Sequence, residues 1–372
     1  MKILKYLYFL LYLGKSALQY IKDTYLQYSI RQKLLFKGDF QIGKNVVINN
    51  YENFTPPVGG KIGDYSRILQ VGFTGNIHRD QSITLGKGVI ISRHVELTIW
   101  EHNHLIIKDH TSLQDNCKLL GGVTIERNCL LAPNVFMSSG NHYFSKNPFD
   151  LIKNQDKEVL STEEGTLAHV KPIHVEEDCW IGLGSYVKRG VYIGRGAVVG
   201  AYTLVTRNIP PYSIQSGSPN TELKKRINFN PPTAIYAINE LHWPYFYRGF
   251  AQQKTDRKES LKQNGLFAFE KALITLKKQV FSELKLNMFF SENFQPQLLA
   301  VKLNDVLLIQ LHITSDKTEY IIPVPTEVYE KSIQNLSKFP DVLQKYHLFT
   351  FELMPKVNSS VSKYGVVSCE IY

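Results

Sequence analysis

The sequence predicts a mainly β chain built around a three-sided parallel β-helix, with a helical segment before it and a small α+β domain after it. Three observations support this fold class. A six-residue hydrophobic period runs from about Ile107 to Ile209, the first forty residues are basic and aromatic, and the period is lost beyond Pro232. Hydrophobic residues make up 43% of the 372 residues and charged residues 20%, which excludes a largely disordered chain.

The net charge of +10 favours anionic partners such as nucleic acid, phosphorylated cofactors, acidic glycans or an anionic membrane surface. Charge alone does not choose among these partners. The four cysteines form no CxxC pair, so neither a zinc site nor a redox motif is indicated. A reduced, cytoplasmic protein fits this cysteine pattern best.

Residues 1–40 form the predicted helical segment, with seven Lys or Arg against two Asp and nine Tyr or Phe. Its longest apolar run, Tyr6–Leu13, has eight residues, whereas a membrane-spanning helix needs roughly 20. Two interpretations remain open. The segment packs on its own protein or a neighbouring subunit, or it lies peripherally on the inner membrane face.

The central repeat, assigned to residues 41–232, consists of hexads with a large apolar residue first and a small residue fifth. The first positions are Ile107, Leu113, Leu119, Ile125, Leu131, Met137, Val175, Ile181, Val187, Ile193, Val199 and Val205. Neither an amphipathic helix nor an alternating strand has a period of six. Short parallel strands stacked with one apolar inner face do produce it, so the pattern predicts a triangular prism.

The repeat breaks at Asn141. Residues 138–172 are predicted to form an excursion that leaves the prism between two blocks of hexads. Long excursions from a regular fold commonly carry function. Cys117, Cys129 and Cys179 all occupy fifth positions. We therefore interpret them as small core residues and not as reactive thiols.

The segment CWIGLGSYVKRGVYIGRGAVVGAYTLVTRNIPPYSIQSGSPNTELKKR resembles the hexapeptide-repeat acetyltransferases, which are left-handed β-helices. It is most similar to the galactoside, maltose and nodulation-factor O-acetyltransferases and to relatives that modify capsule and lipopolysaccharide. The resemblance is strong over Val175–Arg226 and good over Ile107–His142. It implies an acetyl-CoA-dependent acyltransferase that acts on a sugar hydroxyl of a surface polysaccharide or its precursor, without a metal.

The resemblance also implies functional residues. His142, ten residues after Ala132 in LLAPNVFMSSGNH, matches the family's general base, and imidazole titrates near neutral pH. Its neighbours Asn141 and Tyr143, together with Trp180, are the candidate acceptor-binding residues. Positions that match the coenzyme A channel are Leu183, Ala201, Thr206, Arg207 and Lys224. At Leu183 relatives often have Ser or Ala, so only its backbone N–H is available there.

Family members are usually homotrimers with each active site between two prisms, so we expect a homotrimer with a glycan acceptor and no nucleic-acid partner. Three other interpretations remain. One is N-acetylation of an amino sugar nucleotide. The second is a zinc-binding prism like the γ-class carbonic anhydrases, drawing on His94, His102, His104, His110, His169 and His174. The third is a non-catalytic scaffold.

Residues 235–372 are predicted to form a small α+β domain of unknown role. Gly265–Leu284 spaces its apolar residues like an amphipathic helix. Leu298–Leu303 and Val306–Ile313 are predicted to form a hairpin around Asn304-Asp305. Further strands are expected at Tyr320–Val324, His347–Leu353 and Val366–Ile371.

Overall fold

The computed structural model describes residues 41–48, 60–74, 82–99, 103–162, 165, 171–251, 264–292, 294–354 and 364–372. The predicted helical segment 1–40 lies outside these residues. The chain divides into two compact units. The first unit consists of the chain up to Ile209 together with Ser213–Lys224. The second consists of Pro210–Tyr212 together with Lys225–Tyr372.

The first unit is a three-sided parallel β-helix, as the hexad period predicts. Face 1 contains the strands Gln41–Ile42, Lys61–Ile62, Ser82–Leu85, His104–Ile107, Val123–Ile125, Ile173–Val175 and Tyr192–Ile193. Face 2 contains Val47–Ile48, Arg67–Ile68, Ile90–Ile91, Ser112–Leu113, Leu130–Leu131, Trp180–Ile181, Val198–Val199, Ser213–Ser216 and Thr221–Lys225. Face 3 contains Val71–Thr74, Val95–Thr98, Lys118–Leu120, Phe136–Ser138, Tyr186–Val187 and Leu204–Val205.

The first-position residues stack directly above one another inside the prism. On face 2, Leu113 pairs with Leu131, which pairs with Ile181, which pairs with Val199. All four side chains are at most 1% exposed. Since a shift of one residue would turn the whole ladder outward, the apolar pattern fixes the register of every coil.

The fifth-position residues are buried too, and several of them are hydrogen-bond donors. Thr111 Oγ1 donates to the carbonyl of Glu126 at 2.8 Å, Ser185 Oγ to that of Gly200 at 2.8 Å, and Cys179 Sγ to that of Gly194 at 3.2 Å. Each bond joins a corner to the coil above it. A small side chain with a donor therefore fits the corner and also satisfies a buried carbonyl.

The three cysteines were predicted to be small core residues. Cys117, Cys129 and Cys179 are indeed buried and form no disulfide. Burial raises the pKa of the Cys117 thiol to about 11, and burial likewise raises the pKa of the Cys129 thiol. Both sulfurs remain protonated donors near neutral pH. Their acceptors are the carbonyls of Ala132 and Glu176.

The fourth position of the hexads adopts left-handed backbone at the prism corners. Non-glycine residues there have φ between 54° and 62°: Asn45, Tyr65, His94, His110, Asn116, Asn128, Asn134, Asp178 and Tyr202. Gly88, Gly184, Gly190 and Gly196 take the same conformation. Asn, Asp and Gly tolerate this region best, and they fill most of these corners.

The second unit is an antiparallel sheet with the strand order Val306–Ile313, Gln297–Leu303, Tyr346–Leu353, Leu266–Lys277, Tyr364–Ile371, Glu283–Phe290 and Glu319–Pro323. Ala234–Tyr236 pairs with Tyr364–Ile371, and Arg248–Phe250 pairs with Leu266–Lys277. An α-helix spans Thr326–Asn335, and 3₁₀ helices span Glu240–Tyr245 and Leu336–Lys338. The predicted hairpin is confirmed, with Asn304 and Asp305 at φ 48° and 65°.

The predicted amphipathic helix at Gly265–Leu284 is wrong. Residues Leu266–Lys277 form one long strand, and the next strand starts at Glu283. Neighbours pair with the long strand on both edges, and its residues 272–276 are all buried. A strand covered on both faces has a nearly continuous apolar run, which a period count cannot distinguish from a helix.

The described residues contain no helix that is long and apolar enough to cross a bilayer.

We expect the inward ladder to dominate the stability of the prism. Ile90 and Ile91 are neighbours in one strand, but Ile90 is 45% exposed and Ile91 is 0% exposed. Ile91→Ala should lower the free energy of unfolding by about 2–5 kcal/mol because it opens a cavity in the core. Ile90→Ala, the matched control, should lower it by about 0.5 kcal/mol. Denaturant titrations that gave equal losses would contradict the inward and outward assignment.

Candidate functional site

The predicted excursion leaves face 3 after Phe136–Ser138 and returns to face 1 at Ile173–Val175. It contains a nine-residue helix, α1, at Ile152–Leu160. His142 lies in the first part of the excursion, at the edge of the prism between faces 3 and 1. The break in the hexad period therefore places a histidine outside the close-packed core.

His142 and Asp156 form a hydrogen-bonded pair. His142 Nδ1 lies 2.5 Å from Asp156 Oδ2, and the other carboxylate oxygen accepts the backbone N–H of Tyr143 at 2.6 Å. The carboxylate of Asp156 thus holds two consecutive residues of the excursion. An ionised carboxylate can only accept, so a neutral His142 ring bonded to it would carry its proton on Nδ1 and leave the lone pair of Nε2 free.

The pair joins an exposed imidazole to a partly buried carboxylate. The side chain of His142 is 80% exposed and that of Asp156 is 17% exposed. Nε2 is therefore accessible to another molecule, whereas the orienting group is sheltered by α1. This arrangement suits a base that takes a proton from a bound molecule while a carboxylate stabilises the imidazolium that forms.

Gln155 anchors the helix that supplies Asp156. The residue is 1% exposed, its Oε1 accepts the backbone N–H of Asn147 at 3.0 Å, and its Nε2 donates to the carbonyl of Asp150 at 3.1 Å. Tyr143 adds a second tie, because its hydroxyl donates to the carbonyl of Gly165 at 3.3 Å. The described part of the excursion is therefore internally hydrogen-bonded.

The remaining candidate residues fall into two groups on the prism. Thr206 and Arg207 follow Leu204–Val205 on the edge between faces 3 and 1, the edge that carries His142. Two coil steps, about 10 Å, separate them from the level of Phe136–Ser138. Their backbone N–H groups both donate to Asn220 Oδ1, at 2.9 and 3.3 Å. Only their side chains and carbonyls remain for a ligand.

The second group lies on face 2 and on its edge with face 3. Trp180 is 53% exposed on face 2, and Lys224 is exposed on its last strand. Leu183 and Ala201 occupy the edge between faces 2 and 3 on successive coils. Their backbone N–H groups enter none of the hydrogen bonds found among the described residues. Within one chain, the fold does not bring this group to His142.

Asp156 and Gln155 are functional residues that the sequence did not single out. DLIKNQDKEV offers Asp150, Asp156 and Glu158, which lie 8, 14 and 16 residues after His142, and spacing alone does not rank them. The segment has a helical pattern, and a catalytic base is commonly oriented by a third group. A carboxylate on this helix was therefore the signal available in the sequence.

The two predicted neighbours of His142 differ in exposure. Asn141 is exposed, and Tyr143 is half-buried beside the His142–Asp156 pair.

The histidines considered for zinc do not form a cluster in the part of the chain that the structure describes. No group of three or more His, Cys, Asp or Glu side chains able to hold a metal ion lies within it. His102 and His169 fall outside the described residues. His174 contacts two carboxylates, with its Nε2 3.3 Å from Glu176 Oε1 and 3.7 Å from Glu126 Oε1.

Comparisons with known proteins support the resemblance seen in the sequence. Residues 172–207 match the family model described as the hexapeptide repeat of succinyl-transferase. A putative acetyltransferase of Schizosaccharomyces pombe is 33% identical over 112 residues, which are 30% of this chain and 47% of that protein. A putative colanic acid biosynthesis acetyltransferase of Escherichia coli is 26% identical over 146 residues, 38% of this chain and 69% of that protein.

The chain thus spans about half the length of the yeast relative. Among solved structures, a polysialic acid O-acetyltransferase is similar at 18% identity and a TM-score of 0.36, covering 52% of this chain and 91% of that one.

Replacing Gln155 should loosen the excursion without unfolding the prism. Gln155→Ala removes a buried side chain together with its bonds to the Asn147 N–H and the Asp150 carbonyl, at a cost of about 1–3 kcal/mol. Amides of residues 147–156 should then exchange with deuterium about tenfold faster, while those of 173–181 keep their rates. Asn154→Ala is the matched control, because the Asn154 side chain is exposed and donates to the Asp150 carboxylate on the surface. Unchanged exchange in residues 147–156 would refute the anchoring role.

Proposed function

We propose that the protein is an acetyl-CoA-dependent O-acetyltransferase that acts on a sugar hydroxyl of a surface polysaccharide or its precursor. The observation that carries the proposal is the His142–Asp156 pair at the break in the hexad period. The exposed Nε2 of His142 suits a general base for a large acceptor. Similarity to acetyltransferases over the repeat supports the acyl transfer.

In this mechanism, His142 Nε2 takes the proton of the acceptor hydroxyl as the oxygen attacks the thioester carbonyl carbon. A carbon–oxygen bond forms and the carbon–sulfur bond breaks. The imidazolium of His142 then returns the proton to the departing thiolate. Asp156 holds the ring through Nδ1 and stabilises the imidazolium between the two transfers. No covalent intermediate with the enzyme is required.

The groups assigned to the coenzyme A channel fit such a ligand chemically. The backbone N–H groups of Leu183 and Ala201 suit the amide carbonyls of a pantetheine arm. Lys224 is an exposed cation suited to phosphate, and Arg207 adds another on a different edge of the prism. Because the backbone N–H groups of Thr206 and Arg207 donate to Asn220, we assign the ligand contacts at these two positions to their side chains.

A glycan acceptor is supported by the similarity to the putative colanic acid biosynthesis acetyltransferase. We assign the excursion around Asn141 and Tyr143 to the acceptor. An oxygen nucleophile is favoured because a sugar hydroxyl needs its proton removed, and the exposed, carboxylate-oriented imidazole meets that need. An ester product, unlike an amide, is cleaved by mild base.

We also infer that each active site is shared between two copies of the chain in a homotrimer. His142 lies on the edge between faces 3 and 1, whereas Trp180, Leu183, Ala201 and Lys224 lie on face 2 or its far edge. One prism therefore does not unite the base with these four residues, although Thr206 and Arg207 share the edge of His142. Juxtaposing that edge of one copy with the channel residues of another completes the site.

The base can be tested by matched substitutions. His142→Ala should lower kcat by about 10²–10⁴-fold, and Asp156→Asn by about tenfold or more, with KM for acetyl-CoA unchanged. Glu158→Gln, two residues from Asp156 in α1, removes only an exposed ion pair with Lys146 and should leave kcat unaltered. The assay follows thiol release with acetyl-CoA and candidate glycans.

Product analysis separates the alternatives in that assay. A base-labile acetyl group identifies an O-acetyltransferase, and a base-stable group identifies an N-acetyltransferase. Activity that survives in His142→Ala would remove the proposed base. Absence of acetyl-CoA binding in calorimetry would instead indicate a non-catalytic prism.

Subunit mixing tests the shared site. His142→Ala and Ala201→Arg should each inactivate the protein, the second by blocking the channel. Random hybrids formed by co-expression should recover about one quarter of wild-type activity if each site draws on two subunits. Hybrids without activity, formed from variants that still assemble, would place the whole site in one chain.

A further inference from the structure

One face of the C-terminal sheet presents an ordered grid of polar and aromatic side chains. Strand alternation directs Ile235, Leu286 and Cys369 into the core and turns their neighbours to the opposite face of the sheet. The paired strands arrange those neighbours in rows. The first row is Tyr236, Ser368, Asn287 and Glu319, and the second is Ala234, Glu370, Lys285 and Ile321. Tyr372 lies opposite Glu283 in the third.

Glu370 is the centre of this grid. Its Oε2 accepts the hydroxyl of Tyr236 at 3.0 Å and that of Tyr372 at 2.6 Å, so both tyrosines converge on one carboxylate oxygen. Its Oε1 accepts the hydroxyl of Ser368 at 3.2 Å, and Ser368 in turn accepts Asn287 Nδ2 at 2.8 Å. The carboxylate therefore fixes two rings in place before any ligand arrives.

The two tyrosine rings are accessible although their hydroxyls are engaged. Tyr236 is 39% exposed and Tyr372 is 58% exposed. Burial and the bond to Glu370 raise the pKa of Tyr236, and the bond to Glu370 raises the pKa of Tyr372, so both phenols stay protonated donors. Rigid, partly exposed rings give a large contact area with little loss of side-chain entropy on binding.

The chemistry of the face matches a carbohydrate. The C–H groups on one side of a pyranose ring carry slight positive charge and pack on the negative face of an aromatic ring. Sugar hydroxyls bind carboxylate, amide and hydroxyl groups of the kind that Glu370, Asn287 and Ser368 supply. Ser368 is 2% exposed, so Glu370 and Asn287 are the accessible partners.

The charge of the face selects among carbohydrates. Glu283, Glu319 and Glu370 surround one cation, Lys285, whose Nζ lies 2.8 Å from Glu319 Oε2. This local excess of carboxylates is opposite in sign to the net charge of +10 for the chain. Uronic acids, sialic acids and phosphorylated sugars are therefore disfavoured here.

We propose that this face, formed by Tyr236, Asn287, Glu370 and Tyr372, binds a neutral glycan chain, with the two tyrosine rings as stacking platforms. Binding here needs neither acyl transfer nor His142, so it is a second function beyond the proposed acetyltransferase. Glu370 orients both rings and accepts a sugar hydroxyl.

The test measures binding of the full-length protein to neutral and acidic oligosaccharides by calorimetry, without acetyl-CoA. The neutral probes are maltohexaose, cellohexaose and chitohexaose, and the acidic probe is a hexamer of galacturonate. The wild type should bind at least one neutral probe. The double variant Tyr236→Ala, Tyr372→Ala should weaken that binding by about tenfold or more.

Three variants make the result specific. The Tyr236→Phe, Tyr372→Phe pair keeps both rings and should weaken binding by only about threefold, because it loses hydrogen bonds and not the platforms. Leu307→Ala, a truncation of an exposed residue at the opposite edge of the sheet, should leave binding unchanged. His142→Ala should also bind normally, which separates this proposal from the catalytic one.

Circular dichroism of each variant confirms that it is folded. The proposal is overturned if no neutral probe binds, if only the galacturonate hexamer binds, or if the folded alanine pair binds as well as the wild type.

Discussion

Most of the described corners of the prism hold a residue in left-handed backbone and, next to it, a buried fifth-position side chain. The turn lets three short strands close into one coil, and the side chain ties that coil to the next. Thr111, Cys179 and Ser185 do so by donating to the carbonyl of a residue in the coil above. Because each coil is stacked on the one below, an error at one corner would displace every inward ladder beyond it.

The candidate site depends on this regularity by interrupting it. A close-packed prism leaves no room for a polar reactive group inside, so such a group must leave the repeat at an edge. His142 does so where the fifth position becomes Asn141. The excursion then folds on itself, and α1 brings the carboxylate of Asp156 into hydrogen-bond contact with His142. A rigid scaffold with an internally hydrogen-bonded excursion holds the imidazole in place while keeping it exposed, as the proposed general base requires.

The C-terminal unit is organised by antiparallel pairing and side-chain alternation, and not by the hexad period. Its long strands pair antiparallel, and the alternation of side chains leaves a polar face organised by Glu370. The hairpin at Asn304-Asp305 was predictable because two residues that tolerate positive φ separate two apolar runs. Leu266–Lys277 was not predictable, because both of its edges and most of its side chains are covered by distant segments. The apolar run in this segment indicates that it is buried, but it does not distinguish a strand from a helix.

The sequence by itself determined the prism, its register and the place where the repeat breaks, because a six-residue period is local and has one structural solution. It also singled out His142, which lies at that break. The tertiary structure alone decided that Asp156 is the partner of His142 and that Gln155 anchors the helix carrying it. It also decided that Tyr236 and Tyr372 meet at Glu370, although 134 positions separate Tyr236 from Glu370. Such pairings join residues remote in the chain, and no local pattern encodes contacts that only the folded backbone creates.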